Sequence, residues 1–160
     1  MVERAGPADG DKAPAFTLET DGGGKVSLSG QKGKKVVVYF YPKDDTPGCT
    51  KESIAFTGAL AKFEKANTTV IGVSRDSCAS HAKFREKYNL EHSLGADEDG
   101  KVSEAYGVWV EKSMYGKKSM GIERSTFLID GKGVVCKAWR RVSVDGHVDE
   151  VLEAAKGLDA

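Results

Sequence analysis

Residues 36–50 read VVVYFYPKDDTPGCT and decide the fold class, because they predict a strand, a loop and the start of a helix in succession. The β-branched and aromatic run at 36–41 is typical of a central strand that is buried on both faces. Thr46 is a suitable N-cap, and Pro47 suits the first helical position, where its missing N–H costs nothing. Apolar residues at helical spacing continue the helix pattern to residue 66.

Strands and helices alternate along the rest of the chain, which predicts a three-layer α/β domain with a mixed sheet. The predicted turn at 21–24 makes an N-terminal hairpin, and the turn at 130–133 makes a second hairpin near the end. The stretch 111–123 is predicted to be the longest loop. We expect one domain over 1–160, with its core at about 10–158. Further strands are predicted at 16–18, 26–28, 69–73, 93–96, 125–129 and 134–139, and helices at 77–88, 101–106 and 145–158.

The composition is that of a soluble globular protein, with 39% hydrophobic and 30% charged residues among 160. Lys and Arg together number 24 and so do Asp and Glu, which argues against nucleic acid as a partner. The chain contains no apolar run of the roughly 20 residues that a transmembrane helix needs, so no membrane partner is expected. Residues 1–10 have no apolar core of a secretory signal, and a cytoplasmic location is expected.

The three cysteines are Cys49, Cys78 and Cys136, and none belongs to a Cys-x-x-Cys motif. Their small and odd number excludes a disulfide-stapled secreted domain and predicts reduced thiols. Cys78 and His81 stand one helical turn apart and could supply half of a metal site. Because no second half is visible in the sequence, no metal is expected.

Cys49 falls at the third position of the predicted helix, near unpaired backbone N–H groups and the positive end of the helix dipole. Both features favour a thiolate over a thiol. Gly48 removes a side chain beside the sulfur and would let a small substrate approach the backbone donors. The residues alone are equally consistent with a capped helix that holds a buried, inert cysteine.

The spacing Pro42-x-x-x-Thr46-x-x-Cys49 resembles the active-site signature of the peroxiredoxins, which are thiol peroxidases with a thioredoxin-like fold. The longer strings at 41–50, 114–118 and 121–130 resemble the peroxiredoxin Q subfamily, also called bacterioferritin comigratory protein. This resemblance extends from about residue 10 to residue 158. It implies reduction of hydrogen peroxide and organic hydroperoxides without a metal, haem or flavin cofactor.

The resemblance also implies a role for individual residues. Cys49 would be the peroxidatic cysteine, which attacks the peroxide and becomes a sulfenic acid. Thr46 would orient the peroxide through hydrogen bonds, and Arg124 would stabilise the thiolate and the charge on the leaving oxygen. Pro42 would shield the sulfur from water, while Glu52 would pair with an arginine.

The sequence departs from the subfamily pattern at the second cysteine. Many members carry a resolving cysteine five residues after the peroxidatic one, where this chain has Ile54, and others carry it near Arg85. Cys78, seven residues before Arg85, is the resolving candidate here. A one-Cys cycle with an external thiol remains open, as does a resolving role for Cys136, although a buried core thiol is the expected account of Cys136.

The resemblance implies that electrons come from thioredoxin or a glutaredoxin-like thiol donor, and that the protein is a monomer or a weak dimer. Two other classes remain to be weighed against a peroxidase. A thiol–disulfide oxidoreductase of the thioredoxin type needs a second cysteine nearby, but residues 46–52 contain only Cys49. A redox-inactive binding module would have no reason to retain Thr46, Cys49 and Arg124 together.

Overall fold

The computed structural model describes residues 6–158. Strands and helices alternate much as the sequence predicts, apart from two corrections below. The strands are β1 (Thr17–Thr20), β2 (Lys25–Ser27), β3 (Lys35–Phe40), β4 (Thr68–Ser74), β5 (Ser93–Ala96), β6 (Trp109–Met114), β7 (Lys117–Ile122), β8 (Ser125–Ile129) and β9 (Val135–Arg140). The helices are α1 (Pro47–Gly58), α2 (Leu60–Lys65), α3 (Cys78–Tyr88), α4 (Lys101–Ala105) and α5 (His147–Lys156).

Seven strands form one mixed sheet in the order β2-β1-β5-β4-β3-β8-β9. The central strands β3, β4 and β5 are parallel to one another. The β1–β2 and β8–β9 hairpins are antiparallel, and so are the contacts that join them to the parallel strands. The prediction of a central mixed sheet with an N-terminal hairpin is therefore confirmed.

Successive side chains of β3 point to opposite faces of the sheet, and each face has its own apolar core. Val37 and Tyr39 pack on one face with side chains from α1, α2, α3 and α5. Val36 and Val38 pack on the other face with Tyr106, which follows α4. All of β3 is buried, which confirms the prediction of a strand buried on both faces. Within residues 6–158, none of the helices has the length and apolar character to cross a bilayer.

The single helix predicted to run to residue 66 is wrong, because the structure contains two helices there. α1 ends at Gly58, α2 begins at Leu60, and Ala59 between them leaves the helical conformation with φ −99° and ψ 2°. Glycine weakens a helix because it loses the most backbone freedom on folding. The apolar spacing continues across the break, which is why periodicity alone did not reveal it.

The predicted loop at 111–123 is also wrong, because most of it belongs to the antiparallel hairpin of β6 and β7. Tyr115 and Gly116 form its turn with φ +53° and +78°, the left-handed geometry of a tight hairpin. The exposed lysines of this segment hide the alternation that normally indicates a strand.

Two distant segments meet at one edge of the sheet and form the candidate site. β3 pairs Phe40 with Ser125, the first residue of the antiparallel strand β8. Arg124 immediately precedes β8, so it lies just beyond the end of β3. The connection 41–46 leaves the same end of β3 and leads into α1, which carries Cys49.

Candidate active site

Cys49 occupies the first turn of α1 and its side chain is almost wholly buried, with 1% of the residue exposed. Pro47 is the first helical residue, and Thr46 is the N-cap with an extended backbone, as predicted. The Thr46 hydroxyl does not cap the helix, however, because it donates to the carbonyl oxygen of Lys43 at 2.9 Å. The prediction of a side-chain cap is therefore wrong, while the backbone position is right.

Arg124 contacts both Cys49 and Glu52 with its guanidinium group. One nitrogen lies 3.3 Å from the Cys49 Sγ atom, and another donates to Glu52 Oε1 at 2.7 Å. Glu52 is wholly buried, and its Oε2 atom has no hydrogen-bond partner among the described residues. Burial raises the pKa of Glu52 to about 7, although the charge of Arg124 and its hydrogen bond oppose this. A single cation thus lies between two groups that can become anions.

Gly48 leaves the space that Arg124 occupies. A Cβ atom at this position would lie 3.1 Å from the guanidinium nitrogen that contacts Cys49. The guanidinium would have to shift by a few tenths of an ångström to admit even an alanine at this position. The sequence predicted that Gly48 opens the site to a substrate, whereas the structure gives it the further role of admitting Arg124.

Comparisons with known proteins identify the family of this chain. The AhpC/TSA family model matches residues 10–138. The chain belongs to the AhpC/TSA family. Peroxiredoxin Bcp of Bacillus subtilis is 49% identical over 149 residues, covering 93% of this chain and 95% of its own. Peroxiredoxin Bcp of Xanthomonas campestris is 48% identical over 139 residues, covering 87% of each chain.

Solved structures give the same result for the fold. Peroxiredoxin Q of Xanthomonas campestris has a TM-score of 0.85 at 46% identity, covering 89% of this chain and 90% of its own. A mutant of Xylella fastidiosa PrxQ has a TM-score of 0.89 at 41% identity, covering 93% and 95%. This AhpC/TSA chain is therefore a peroxiredoxin, a thiol peroxidase with a thioredoxin-like fold, as the sequence resemblance implied.

Pro42 is the second residue of the connection between β3 and α1 and lies exposed at the surface of this peroxiredoxin. Its expected role in shielding the sulfur stays a prediction.

Behind Cys49, the buried Tyr39 hydroxyl hydrogen-bonds with Ser53 of α1 at 3.0 Å and with His92 at 2.5 Å. Burial lowers the pKa of His92 to about 3, so this ring is neutral. The sequence did not reveal this network, because nothing in the local pattern indicates that His92 is buried.

Cys78 is the first residue of α3 and is half-buried. Burial raises the pKa of its thiol, and the carboxylates of Glu19, Glu98 and Asp21 raise it further. Asp21 also accepts a bidentate interaction from Arg85, which lies on the same helix as Cys78. The cysteine proposed to resolve the sulfenic acid is thus a free thiol in acidic surroundings.

Cys136 is half-buried on β9, which contradicts the expectation of a buried core thiol. Leu128 pairs with Lys137 while Ile129 pairs with Val135, so Cys136 is the extra residue of a β-bulge. Its thiol lies 3.7 Å from the carbonyl oxygen of Val134. The irregular pairing explains why a simple alternation along the strand misplaced this side chain.

The half metal site considered for Cys78 and His81 is not available in the structure. His81 uses one ring nitrogen toward Asp44 at 2.7 Å and the other toward the carbonyl oxygen of Gly95 at 3.1 Å. Both nitrogens that could bind a metal are therefore occupied. Across residues 6–158, His, Cys, Asp and Glu side chains form no group of three that could hold a metal ion.

Proposed function

We propose that this peroxiredoxin reduces hydrogen peroxide and organic hydroperoxides at Cys49. The observation that carries the proposal is the Arg124 guanidinium, which lies 3.3 Å from a buried thiol at the start of a helix. A cation and a helix N-terminus both favour the thiolate, which is the nucleophilic form. One related structure from Xanthomonas campestris is described in terms of alkyl peroxide reduction, which supports organic hydroperoxides as substrates.

In the oxidation step, the Cys49 thiolate attacks the terminal oxygen of the hydroperoxide. An S–O bond forms while the O–O bond breaks, and the terminal oxygen keeps its proton and becomes part of a sulfenic acid. The alkoxide or hydroxide leaves and takes a proton from water. Arg124 stabilises the negative charge as it moves from sulfur to the leaving oxygen.

Thr46 is suited to orient the peroxide because of how its hydroxyl is already bound. Its proton is donated to the carbonyl oxygen of Lys43, so the lone pairs of Oγ1 remain available as acceptors. A hydroperoxide O–H can then donate to Thr46 while its terminal oxygen faces the sulfur. Pro42, which is exposed in the connection 41–46, is proposed to limit the access of water to the Cys49 sulfur.

For the second step we propose Cys78 as the resolving cysteine. Its thiolate attacks the sulfenic sulfur of Cys49, an S–S bond forms while the S–O bond breaks, and the leaving hydroxide takes up a proton to become water. Because Cys49 is buried, the first turn of α1 must open before the two sulfur atoms can meet. Thioredoxin or a glutaredoxin-like dithiol in the cytoplasm would then reduce the disulfide, with the enzyme acting as a monomer or weak dimer.

A disulfide map of the peroxide-treated protein tests this cycle. One equivalent of peroxide should give a Cys49–Cys78 peptide, and Cys78→Ser should retain the first oxidation but accumulate a Cys49 sulfinic acid under excess peroxide. Cys136→Ser is the matched control and should behave as the wild type. A stable Cys49 sulfenic acid with Cys78 still open to alkylation would indicate a one-Cys cycle instead.

A further inference from the structure

Asp44 and His81 form a buried pair that neither step of the proposed cycle uses. Asp44 lies in the connection between β3 and α1, and its carboxylate is buried. Its Oδ2 atom accepts from His81 Nδ1 at 2.7 Å and from Ser80 Oγ at 2.8 Å, while Oδ1 accepts from the Tyr41 hydroxyl at 2.6 Å. The Asp44 backbone N–H donates to Asp76 Oδ2 at 2.8 Å. Asp44 is thus held by three hydrogen bonds to its carboxylate and one from its backbone N–H.

The hydrogen bonds define the charge state of His81. Its Nε2 atom faces the carbonyl oxygen of Gly95, which can only accept, and its Nδ1 atom faces the carboxylate of Asp44. Both ring nitrogens therefore donate, and the ring is an imidazolium. Burial lowers the pKa of His81, but the hydrogen bond and the charge of Asp44 more than offset this, so the pKa is raised. The result is a buried ion pair that joins the connection to α3 and β5.

This pair is the buried attachment of a segment that leads directly to the reactive cysteine. Asp44 precedes the N-cap Thr46 by two residues, and Cys49 follows in the first turn of α1. The neighbouring Asp45 is also attached to α3, through Lys87 at 2.8 Å and Tyr88 at 2.6 Å, but these contacts are exposed. Exposed ion pairs contribute little to stability, whereas breaking a buried pair leaves an uncompensated charge.

We propose that Asp44 and His81 are positioning residues, which hold the connection 41–46 against α3 and so keep Thr46 and Cys49 in the arrangement that receives peroxide. The same pair then opposes the opening of α1 that disulfide formation requires. It sets the balance between oxidation, which needs the closed first turn, and resolution, which needs the open one. This inference rests on the proposed function of Cys49. It adds that Asp44 and His81 determine how readily the connection before Cys49 opens.

The test compares Asp44→Asn and His81→Gln with the wild type in the reduced state. Hydrogen exchange over 43–50 and alkylation of Cys49 should each become about tenfold faster, because both require the buried segment to open. The rate of Cys49 oxidation by peroxide should fall severalfold at the same time. A general loss of stability would instead raise exchange across α5 as well, so exchange over 147–156 is followed in parallel.

Asp45→Asn provides the matched control, because it removes an exposed attachment of the same connection to the same helix. Asn tolerates the left-handed φ of +58° at this position. The control should keep all three rates within about twofold of the wild type. Ser80→Ala removes one donor to Asp44 while leaving the pair in place, and it should show the same pattern more weakly, even if Asp44→Asn fails to fold.

Unchanged exchange over 43–50 in both the Asp44→Asn and Ser80→Ala variants would overturn the proposal. So would an exchange increase of equal size over 147–156, or an Asp45→Asn effect as large as that of Asp44→Asn. Exchange and alkylation are measured without peroxide. A failure of the proposed function would therefore appear as a wild-type Cys49 that peroxide does not oxidise, with the other two readouts still intact.

Discussion

Cys49 and Cys78 both lie in the first turn of a helix, yet the charges around them are opposite. Cys49 is buried beside the guanidinium of Arg124. Cys78 is half-buried, and burial raises the pKa of its thiol, with a further contribution from the carboxylates of Glu19 and Glu98. Both lie near the unpaired N–H groups of a helix start, Cys49 at the third helical position and Cys78 at the first.

Because a helix start is common to both cysteines, it does not distinguish one from the other. The two thiols differ in the charged side chains that distant segments bring close, which are a guanidinium for Cys49 and carboxylates for Cys78. For Cys49 that segment is the start of β8, and for Cys78 it is β1 together with the turn after β5. These surroundings support the proposal that Cys49 attacks peroxide and that Cys78 acts in the second step.

The largest expected effect is that of Cys49→Ser, which should reduce peroxide consumption to the level of buffer. A serine hydroxyl does not ionise near neutral pH and is a poor nucleophile toward peroxide. Circular dichroism should show that the variant remains folded, because serine fits the same space. If peroxide turnover persists in this variant and disappears in Cys78→Ser, then Cys78 and not Cys49 is the cysteine that attacks peroxide.

Arg124→Met should slow the oxidation of Cys49 by about 10²–10³-fold, the usual effect of removing one group that stabilises transition-state charge. The double variant Arg124→Met/Glu52→Gln avoids leaving a buried carboxylate without its partner, and it should remain slow. Stopped-flow kinetics with hydrogen peroxide measures the rate. Alkylation of Cys78 serves as the control and should not change, since Arg124 contacts the other thiol.

The sequence predicted most of the fold because its strongest signals are local. The apolar run at 36–41, the turn at 130–133 and the Thr46-Pro47 start of α1 each report a structure formed by neighbouring residues. The break at Ala59 was missed because the apolar spacing continues through it. The β6–β7 hairpin was missed because exposed lysines obscure its alternation.

The candidate site was predictable only in part, because its contacts join residues that are far apart in sequence. The Cys49 position in its helix follows from local spacing, but its contact with Arg124 spans 75 residues and came from family resemblance. The burial of Asp44 and His81 has no local signature at all. An aspartate is mostly exposed and a histidine has no strong preference for burial, so only the assembled fold shows that the two are paired.

Glu52→Gln should change the pH dependence of Cys49 oxidation. The pKa of Glu52 is about 7, so below that pH the carboxyl is protonated and the charge of Arg124 acts mainly on Cys49. Above it, the Glu52 carboxylate competes for the same cation and disfavours the thiolate. The ratio of the variant rate to the wild-type rate should therefore rise about threefold between roughly pH 6 and pH 8.

Glu86→Gln, an exposed change on α3, is the control and should leave the ratio flat. A ratio that does not vary with pH would show that Glu52 does not titrate in this range. Arg124 would then serve Cys49 to the same extent at every pH.

The smallest expected effect concerns the acidic surroundings of Cys78, which Glu98→Gln should weaken. Glu98 is exposed, so solvent screens its influence, and alkylation of Cys78 near pH 8 should become only about two- to threefold faster. Glu19→Gln should act in the same direction, and the two changes together should add. Raising the salt concentration should speed alkylation of the wild type but have less effect on the double variant. If neither the two substitutions nor the salt concentration changes the alkylation rate, then burial alone raises the pKa of Cys78. The carboxylates would then not explain the difference between Cys78 and Cys49.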